Sequence, residues 1–402
     1  MPDGWREVPP TAGLPLRWRD FLPSRGRSGL EAGLAMLLQL PPVQIECSGT
    51  AALIVALTTL RRTSARRSVI IPAYTCPLVA LAIAHCDLEP VLCDLHQNHF
   101  DMCPQTLERL CGDDTLAIVP THLGGRLADV TSVKKIAQSI GAAVIEDAAQ
   151  SLGATWQGRP AGTLGDIGFY SLAVGKGLTL YEGGVLVTRD TGLRERMRAS
   201  SELLAPHRLA WELRRLLELA GYTALYHPVG LRLAYGWPLR RALRNGKLIE
   251  AVGDDFPAVP PVHRVGAWRR AIGANALGRL PSFLEKLSRQ AATRKACLAA
   301  IPGIRVMDDP EGGRGTWPYF MVLMSSLQAR DAALAQLWQS GLGVSRLFIH
   351  SLPDYPYLAG RFGKSNVPNA RDFAARLLTV SNSPWMRETD FLRICSVLAK
   401  HA

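Results

Sequence analysis

Lys176 has a sequence setting that favours nucleophilic chemistry. It stands between two glycines, five residues after Ser171, and Ser171 lies near the end of a predicted strand. A lysine in a tight, glycine-flanked turn beside a buried strand is unusual for a merely solvated charge. A desolvated amine with a lowered pKa is what Schiff-base chemistry requires. Ser171 could supply a hydroxyl group to a phosphate.

Asp147 lies at the carboxyl end of an apolar run, in the sequence Val-Ile-Glu-Asp-Ala-Ala-Gln that ends at Gln150. A carboxylate at the end of a buried strand requires a partner because its desolvation is costly. A protonated pyridine nitrogen would fit, since the carboxylate would hold that proton and make the ring an electron sink. Taken alone, a capping aspartate in a strand-to-helix loop is the simpler interpretation.

Two glycine-containing turns complete the set. Residues 47–53 read Cys-Ser-Gly-Thr-Ala-Ala-Leu and open a predicted helix, whose free N–H groups and dipole could bind an anion. An ordinary N-cap explains that turn by itself. Residues 181–188 read Tyr-Glu-Gly-Gly-Val-Leu-Val-Thr, and the paired glycines allow a close backbone approach before the next strand. Each element is ambiguous, but the ordered set of four is not.

The elements that must position these residues alternate in type from about residue 44 to 190. Strands are predicted at 68–72, 90–94, 116–120, 143–147, 167–172 and 184–188, with helices at 51–61 and 130–140. Such alternation predicts a mainly parallel α/β sheet, with the ligand site at the carboxyl ends of the strands. A second group of elements is predicted at 268–300, 318–324, 328–341 and 344–349, with a final helix from about 388.

The ordered motifs resemble those of the DegT/DnrJ/StrS-type sugar aminotransferases, within the fold-type I pyridoxal-phosphate enzymes. The similarity includes the stretches 69–75, 90–94, 121–125, 146–150 and 171–184. It implies a large α/β domain with a mixed, mostly parallel seven-stranded sheet and a small C-terminal α+β domain. We therefore expect a large cofactor-binding domain at 1–255, with a basic and apolar helical insertion at 202–250, and the small domain at 256–402.

The same resemblance implies the reaction and the residues that serve it. Lys176 would form the Schiff base with pyridoxal phosphate and move the proton between Cα and C4′, Asp147 would pair with the pyridinium nitrogen, and Gln150 would lie near the cofactor hydroxyl. Thr50, Ala51 and Ser171 match the phosphate-binding positions. The implied enzyme is a homodimer that moves an amino group from an amino acid, glutamate, to a nucleotide-linked keto-sugar in polysaccharide, glycan or secondary-metabolite biosynthesis.

Three positions depart from the family pattern. Cys76 stands where the family commonly has an aromatic residue over the cofactor ring, so Tyr74 or another residue would have to stack there. The neighbouring subunit's phosphate-binding Asn has no clear match, and Arg264 could replace it as a cation. The 202–250 segment is longer and more apolar than the family pattern. Two histidines, His122 and His350, are further candidates for substrate contact, although satisfied loop histidines explain them as well.

Alternatives remain open at this point. Some dehydratases of the family carry His where this chain has Lys176, so the lysine favours transamination over dehydratase or lyase chemistry. A non-catalytic regulator or scaffold with the same fold is disfavoured, because packing alone does not require Asp147, Ser171 and Lys176. Cyclitols and other ketones compete with sugars as the acceptor.

The charge of the chain is concentrated in one segment. The net charge is +12, and residues 205–247 contain eight Lys or Arg against two Glu. With its Trp and Tyr residues, this segment could lie against an anionic membrane, although a helical hairpin packed on its own domain or on a dimer partner is the favoured interpretation. The segment lacks a helix-turn-helix or zinc pattern, which argues against nucleic-acid binding.

The eight cysteines are interpreted as free thiols. None forms a Cys-x-x-Cys pair, and several lie in apolar surroundings, so neither a metal site nor disulfides are expected. No apolar run is long enough to span a membrane, and the N-terminus lacks the apolar segment of a signal peptide. These features predict a cytoplasmic protein, with peripheral contact to the inner face of the membrane through 205–247 as an additional hypothesis.

Overall fold

A seven-stranded sheet forms the centre of the computed structural model, which describes residues 5–23, 28–363 and 365–402. The first four residues of the predicted non-apolar N-terminus lie outside the described ranges. The strands are β1 (Gln44–Glu46), β2 (Ser68–Pro72), β3 (Glu89–Cys93), β4 (Thr115–Ile118), β5 (Ala143–Asp147), β6 (Thr155–Trp156), β7 (Arg159–Pro160), β8 (Ile167–Ser171), β9 (Gly184–Val187), β10 (Arg305–Val306), β11 (Gly313–Arg314), β12 (Tyr319–Leu323), β13 (Val344–Ser345) and β14 (Leu377–Ser381).

The helices cover both faces of this sheet and build the second unit. They are α1 (Leu30–Leu38), α2 (Gly49–Arg61), α3 (Pro77–His85), α4 (Pro104–Leu110), α5 (Val130–Ile140), α6 (Thr191–Leu204), α7 (Leu209–Leu225), α8 (Pro228–Leu231), α9 (Trp237–Arg244), α10 (Leu248–Val252), α11 (Ala267–Leu277), α12 (Leu280–Ala299), α13 (Leu327–Leu337), α14 (Pro368–Arg376) and α15 (Glu388–His401).

The central sheet has the strand order β1-β9-β8-β5-β4-β2-β3. β3, β2, β4, β5 and β8 are parallel, whereas β9 is antiparallel to both β8 and β1. Most residues of these strands are buried, because helices pack on both faces, which explains why the strands appear in the sequence as apolar runs. The predicted mixed, mostly parallel seven-stranded sheet is confirmed.

Parallel pairing brings the carboxyl ends of β5 and β8 to the same edge of the sheet. Asp147 ends β5 and pairs in register with Phe169, two residues before Ser171 ends β8. β1 runs to the same edge and is followed directly by α2, whose N-cap is Ser48. The residues predicted to carry chemistry therefore follow strands that end at the same edge of the sheet.

A smaller four-stranded antiparallel sheet, ordered β10-β12-β14-β13, forms the C-terminal unit with α13 and α15 packed on it. The stretch 268–300, predicted from its helical spacing, forms two separate helices, α11 and α12, with a break at Gly278. The strand predicted at 344–349 is also shorter, since β13 covers only two residues before the chain turns.

Helix α11 belongs to the core of the large domain, although the predicted division at 255/256 places it in the small one. Ile272 and Ala276 of this helix pack in one buried cluster with Leu172 and Leu180, which flank the lysine turn. The division itself remains a prediction. The packing shows that the chain returns to the large sheet before it enters the small antiparallel sheet.

The basic insertion is helical, as expected, and comprises α7 to α10. Leu209, Leu213 and Leu217 follow at four-residue spacing on α7 and are all more than half exposed. Five of the eight basic side chains in 205–247 form ion pairs within the protein, namely those of Arg214, Arg215, Arg232, Arg240 and Lys247. Their carboxylate partners outside the segment are Glu7, Glu182 and Glu250, so about half of the net positive charge that motivated the membrane hypothesis is paired within the protein. Within the described residues, no helix is long and apolar enough to cross a bilayer.

Candidate active site

A cavity of about 590 Å³ opens between the strand ends of the large sheet and the small domain. Lys176 and Asp147 both line it, although 29 positions separate them in the sequence. The cavity walls also contain Thr50, Gln150 and Ser171. Its size is within the range typical of sites for small molecules and cofactors.

Asp147 is positioned by β5 and is only 4% exposed. Its Oδ1 accepts a hydrogen bond from the Ala149 N–H at 3.0 Å. Burial raises the pKa of Asp147 to about 6, while this hydrogen bond and the charges of Lys176 and His122 act in the opposite direction. A buried carboxylate that is costly to ionise alone is suited to a cationic partner in the cavity.

Lys176 lies in the turn after β8, where Gly175 adopts a φ of +80° that favours glycine. Burial in the cavity wall lowers the pKa of its amine, and the nearby Cys76 and Asp147 oppose that shift. A lowered pKa increases the fraction of neutral amine, which is the form that attacks a carbonyl carbon. Lys176 therefore lines the cavity, with the pKa of its amine shifted towards the neutral form.

The start of α2 forms one end of the cavity, close to Ser171. The Ser48 hydroxyl caps this helix by accepting from the Ala51 N–H at 3.0 Å. A Cβ atom on Gly49 would lie 3.3 Å from that of Ser171, so the helix start and the end of β8 are in contact. Thr50 lines the cavity, but Ala51 is fully buried and its N–H is already occupied, which corrects its predicted direct role.

Gln150 is held by two groups that the sequence did not connect to it. Its Oε1 accepts a hydrogen bond from the Gly124 N–H at 2.9 Å and another from the Tyr319 hydroxyl. Tyr319 comes from β12 of the small domain, so this contact joins the two domains at the cavity. The amide nitrogen of Gln150 remains the group that could reach a ligand.

His122 does not have the predicted substrate-binding geometry. The side chain is fully buried, with Nε2 3.0 Å from the Glu146 Oε2, and Nδ1 accepts from the Ala128 N–H at 2.9 Å. Both ring nitrogens therefore have partners inside the protein and offer no polar atom to a substrate. His122 supports the cavity wall instead.

Cys76 lines the cavity, as expected, and burial raises the pKa of its thiol to about 12. Tyr74 does not stack over the cofactor position: it is 1% exposed, and its hydroxyl contacts the backbone N–H and C=O of Phe348 at 3.2 Å. The aromatic residues that do line the cavity are Phe169, Tyr181, Tyr235, Phe256, Tyr319 and Phe348.

Two other predicted residues lie outside the cavity of their own chain. Arg264 is exposed, and its guanidinium contacts the carbonyls of Ala205 and Glu202 and the ring of His207. His350 is half-buried against Tyr355 and does not line the cavity. Neither side chain therefore lines the cavity of its own subunit.

The cavity also contains residues that sequence reasoning missed. Pro10, Thr11 and Ala12 line it from the N-terminal segment, and Asp254 lines it from the end of the insertion. The Asp254 carboxylate accepts from the Ile349 N–H at 3.0 Å and from the Tyr355 hydroxyl, so it fastens the insertion to the small domain. These residues form no recognisable sequence motif, and only the folded chain shows that they line the same cavity.

The model of the DegT/DnrJ/EryC1/StrS aminotransferase family matches residues 28–210 and 263–399. The chain belongs to this family. Membership confirms the predicted aminotransferase class with pyridoxal phosphate as the cofactor. The match omits residues 211–262, which contain most of the helical insertion.

Individual relatives agree with this assignment. The chain is 26% identical over 321 residues to the spore coat polysaccharide biosynthesis protein SpsC of Bacillus subtilis (strain 168), covering 77% of this chain and 73% of that protein. It is 27% identical over 382 residues to a UDP-N-acetyl-3-dehydro-alpha-D-glucosamine 3-aminotransferase of Acidithiobacillus ferrooxidans, with coverages of 94% and 89%. DesV of S. venezuelae superimposes with a TM-score of 0.70 at 24% identity, covering 92% and 87%, and supports the fold.

The residues of the cavity fit pyridoxal phosphate. Asp147 is a buried carboxylate whose raised pKa marks the need for a cationic partner, as a pyridinium nitrogen would be. Lys176 could bind the aldehyde carbon, and the first turn of α2 with Ser171 could bind the phosphate, because N–H groups at a helix start favour anions. Gln150 lies in the same wall and could contact the ring hydroxyl.

Proposed function

We propose that this protein transfers the amino group of glutamate to a nucleotide-linked keto-sugar in polysaccharide, glycan or secondary-metabolite biosynthesis. The observation that supports the chemistry most directly is the placement of Lys176 and Asp147 in one cavity. The acceptor class is supported by the relatives, since one is named for spore coat polysaccharide biosynthesis and another for a UDP-linked 3-dehydro sugar.

The residues of the site have different roles, which follow from their positions and charges. Pyridoxal phosphate, when bound, supplies an electron sink for the bonds at the substrate Cα. Asp147 holds the proton of the pyridine nitrogen, which keeps the ring electron-withdrawing. The amine of Lys176 moves a proton at the substrate Cα, and its lowered pKa favours the neutral form that acts as a base.

A homodimer is part of the proposal. Lys176 and Arg346 are the cations among the residues that line the cavity, and Nη2 of Arg346 already donates to the Ile349 and Ala374 carbonyls. Arg264 is exposed outside its own cavity and could supply positive charge to the phosphate site of a neighbouring subunit. Analytical ultracentrifugation should show a dimer for both wild type and Arg264→Ala. Titration with pyridoxal phosphate should show weaker binding by the variant.

The first test is the visible spectrum of the protein loaded with pyridoxal phosphate. We expect a visible absorption band that glutamate bleaches, and Lys176→Ala should lack the band of lysine-bound cofactor. A wild-type protein that binds no cofactor would support the non-catalytic alternative. Release of an oxo product without formation of the amine form of the cofactor would support elimination chemistry instead.

The second test identifies the acceptor. The glutamate-treated enzyme is mixed with a UDP-linked 3-keto-hexosamine, a TDP-linked keto-sugar or a cyclitol ketone, and return of the visible band is followed. The proposal is supported if a nucleotide-linked sugar restores the visible band at a lower concentration than the cyclitol ketone does. A response to the cyclitol ketone alone would refute the sugar assignment while leaving the aminotransferase assignment intact.

A further inference from the structure

Helix α7 contacts the turn that follows the lysine, and Tyr226 at its C-terminal end contacts the N-terminal segment that binds the lysine turn, although α7 lies almost entirely outside the family match. That match ends at residue 210 and resumes at 263, whereas α7 covers Leu209–Leu225. The family model therefore does not describe this helix. Its contacts around the lysine turn come from the structure of this chain alone.

The first contact is at the N-terminal half of α7. The Trp211 Nε1–H donates to Glu182 Oε2 at 3.0 Å, and the Arg215 Nε–H donates to the same oxygen. The His263 Nε2 lies 3.3 Å from it. Glu182 immediately precedes the glycine pair that leads into β9, so α7 holds the turn on the C-terminal side of Lys176.

The second contact is at the C-terminal end of the helix and acts through the N-terminal segment. The Tyr226 hydroxyl accepts a hydrogen bond from the Gly13 N–H at 3.0 Å. The Thr11 Oγ1–H donates to the Gly175 carbonyl at 3.0 Å, and the Leu14 N–H donates to the Gly177 carbonyl at 3.1 Å. Residues 11–14 thus bind the carbonyls on both sides of Lys176, and Tyr226 holds residues 11–14.

Gly13 shows how closely these parts pack. A Cβ atom at this position would lie 3.0 Å from the Lys176 carbonyl oxygen and 3.3 Å from the Tyr226 hydroxyl. Tyr226 itself is buried, with its ring stacked on Tyr222 at a centroid distance of 4.5 Å. The tyrosine, the N-terminal segment and the lysine turn therefore form one continuous packed unit.

We propose that Tyr226 and Thr11 are positioning residues that hold the Gly-Lys-Gly turn in its reactive conformation. The physical reason is conformational entropy. A turn with glycine on both sides of Lys176 loses more backbone freedom on ordering than the same turn with other residues at those two positions. External hydrogen bonds to the Gly175 and Gly177 carbonyls restrict that freedom before substrate binds. The inference rests on Lys176 as the cofactor lysine, as the proposed function has it.

The first experiment measures backbone mobility without cofactor. Tyr226→Phe removes one hydroxyl from the apo protein, and Thr11→Val removes another with little change of shape. Hydrogen–deuterium exchange of a peptide covering 173–179 should become about fivefold faster in both variants, the factor for one lost net hydrogen bond. Thr223→Val is the matched control, because its hydroxyl donates to Leu219 O at 2.8 Å within α7.

The second experiment uses the spectrum of the cofactor-loaded protein. The pH midpoint of the visible band of lysine-bound cofactor should shift in Tyr226→Phe and Thr11→Val and stay unchanged in Thr223→Val. Faster exchange spread over the whole chain, or an unchanged midpoint and unchanged exchange at 173–179, would overturn the proposal. Because the exchange measurement needs no cofactor, its outcome is separable from the test of Lys176 by Lys176→Ala.

Discussion

His122 Nε2 lies 3.0 Å from Glu146 Oε2, and both side chains are fully buried beneath the cavity. Because Nδ1 of His122 accepts from a backbone N–H, Nε2 carries the proton that it donates to Glu146. Glu146 also accepts the N–H groups of Gly162, Leu164 and Gly165. This carboxylate therefore fastens two loops to the end of β5, one residue before Asp147.

Glu146→Gln should destabilise the protein, because an amide offers fewer acceptor sites and brings N–H groups towards other donors. We expect a loss of about 1–3 kcal/mol in the free energy of unfolding, measured by urea denaturation. Glu89→Gln is the control, since Glu89 is exposed at the start of β3. Equal stability of the two variants would show that the buried network is dispensable.

Asp147→Asn should lower the transamination rate about 100-fold or more, as expected when a group that stabilises developing charge is lost. Asn is nearly isosteric and can still accept the Ala149 N–H, so folding should be retained. Single-turnover reaction with glutamate, followed by the bleaching of the visible band, measures the effect. A variant with an unchanged rate would show that Asp147 does not hold the pyridinium proton.

The same substitution should have a pH-dependent effect on the stability of the apo protein. The pKa of Asp147 is raised to about 6 in the folded state, above the ordinary 3.8, so the folded protein retains this proton to higher pH than the unfolded chain. Stability from this group is present below about pH 4 and is lost as the pH rises through about 6.

Asp147→Asn should therefore be more stable than wild type at about pH 8, by up to about 3 kcal/mol, and the difference should largely disappear at about pH 3.5. Urea denaturation of both apo proteins at the two pH values measures it. Saturating pyridoxal phosphate should reduce the advantage, because a pyridinium partner favours the carboxylate. The same difference at both pH values would contradict the buried-carboxylate explanation.

Gly184→Ala should weaken cofactor binding by disturbing the phosphate end of the cavity. A Cβ atom at Gly184 would lie 2.2 Å from the Ser48 carbonyl oxygen and 2.8 Å from the Gly49 nitrogen, so the start of α2 would have to move. We expect the dissociation constant for pyridoxal phosphate to rise about tenfold or more, which corresponds to about 1.4 kcal/mol. Gly112→Ala is the control because its Cβ would meet nothing within 4 Å.

Ser171→Ala should also weaken binding, by about fivefold, because one hydroxyl donor at the helix start is lost. The backbone of β8 ends at this residue, and removal of the hydroxyl leaves its strand pairing intact. Fluorescence titration with pyridoxal phosphate and with inorganic phosphate separates the phosphate contact from the ring contacts. Equal affinities of wild type and variant for both ligands would place the phosphate elsewhere.

The sequence alone determined the central α/β sheet and the residues at its strand ends. Apolar runs bounded by turns predict strands whose bounds the structure reproduces within about two residues, as at Ser68–Pro72 and Ala143–Asp147. The ordered motifs, which include Asp147, Ser171 and Lys176, indicated the family and the cofactor through their resemblance to the sugar aminotransferases. These features are local or follow from parallel topology, which brings strand ends together without any knowledge of side-chain contacts.

Only the tertiary structure decided which side chains face the cavity. His122 and Arg264 are polar residues near the predicted site. However, His122 is hydrogen-bonded to Glu146, and Arg264 lies outside the cavity of its own chain. Thr11 contacts the lysine turn, and Tyr226 holds Gly13 beside it, through hydrogen bonds that join residues more than 160 positions apart. Such contacts depend on how separate elements pack, and pairing between distant segments leaves no periodic pattern in the sequence.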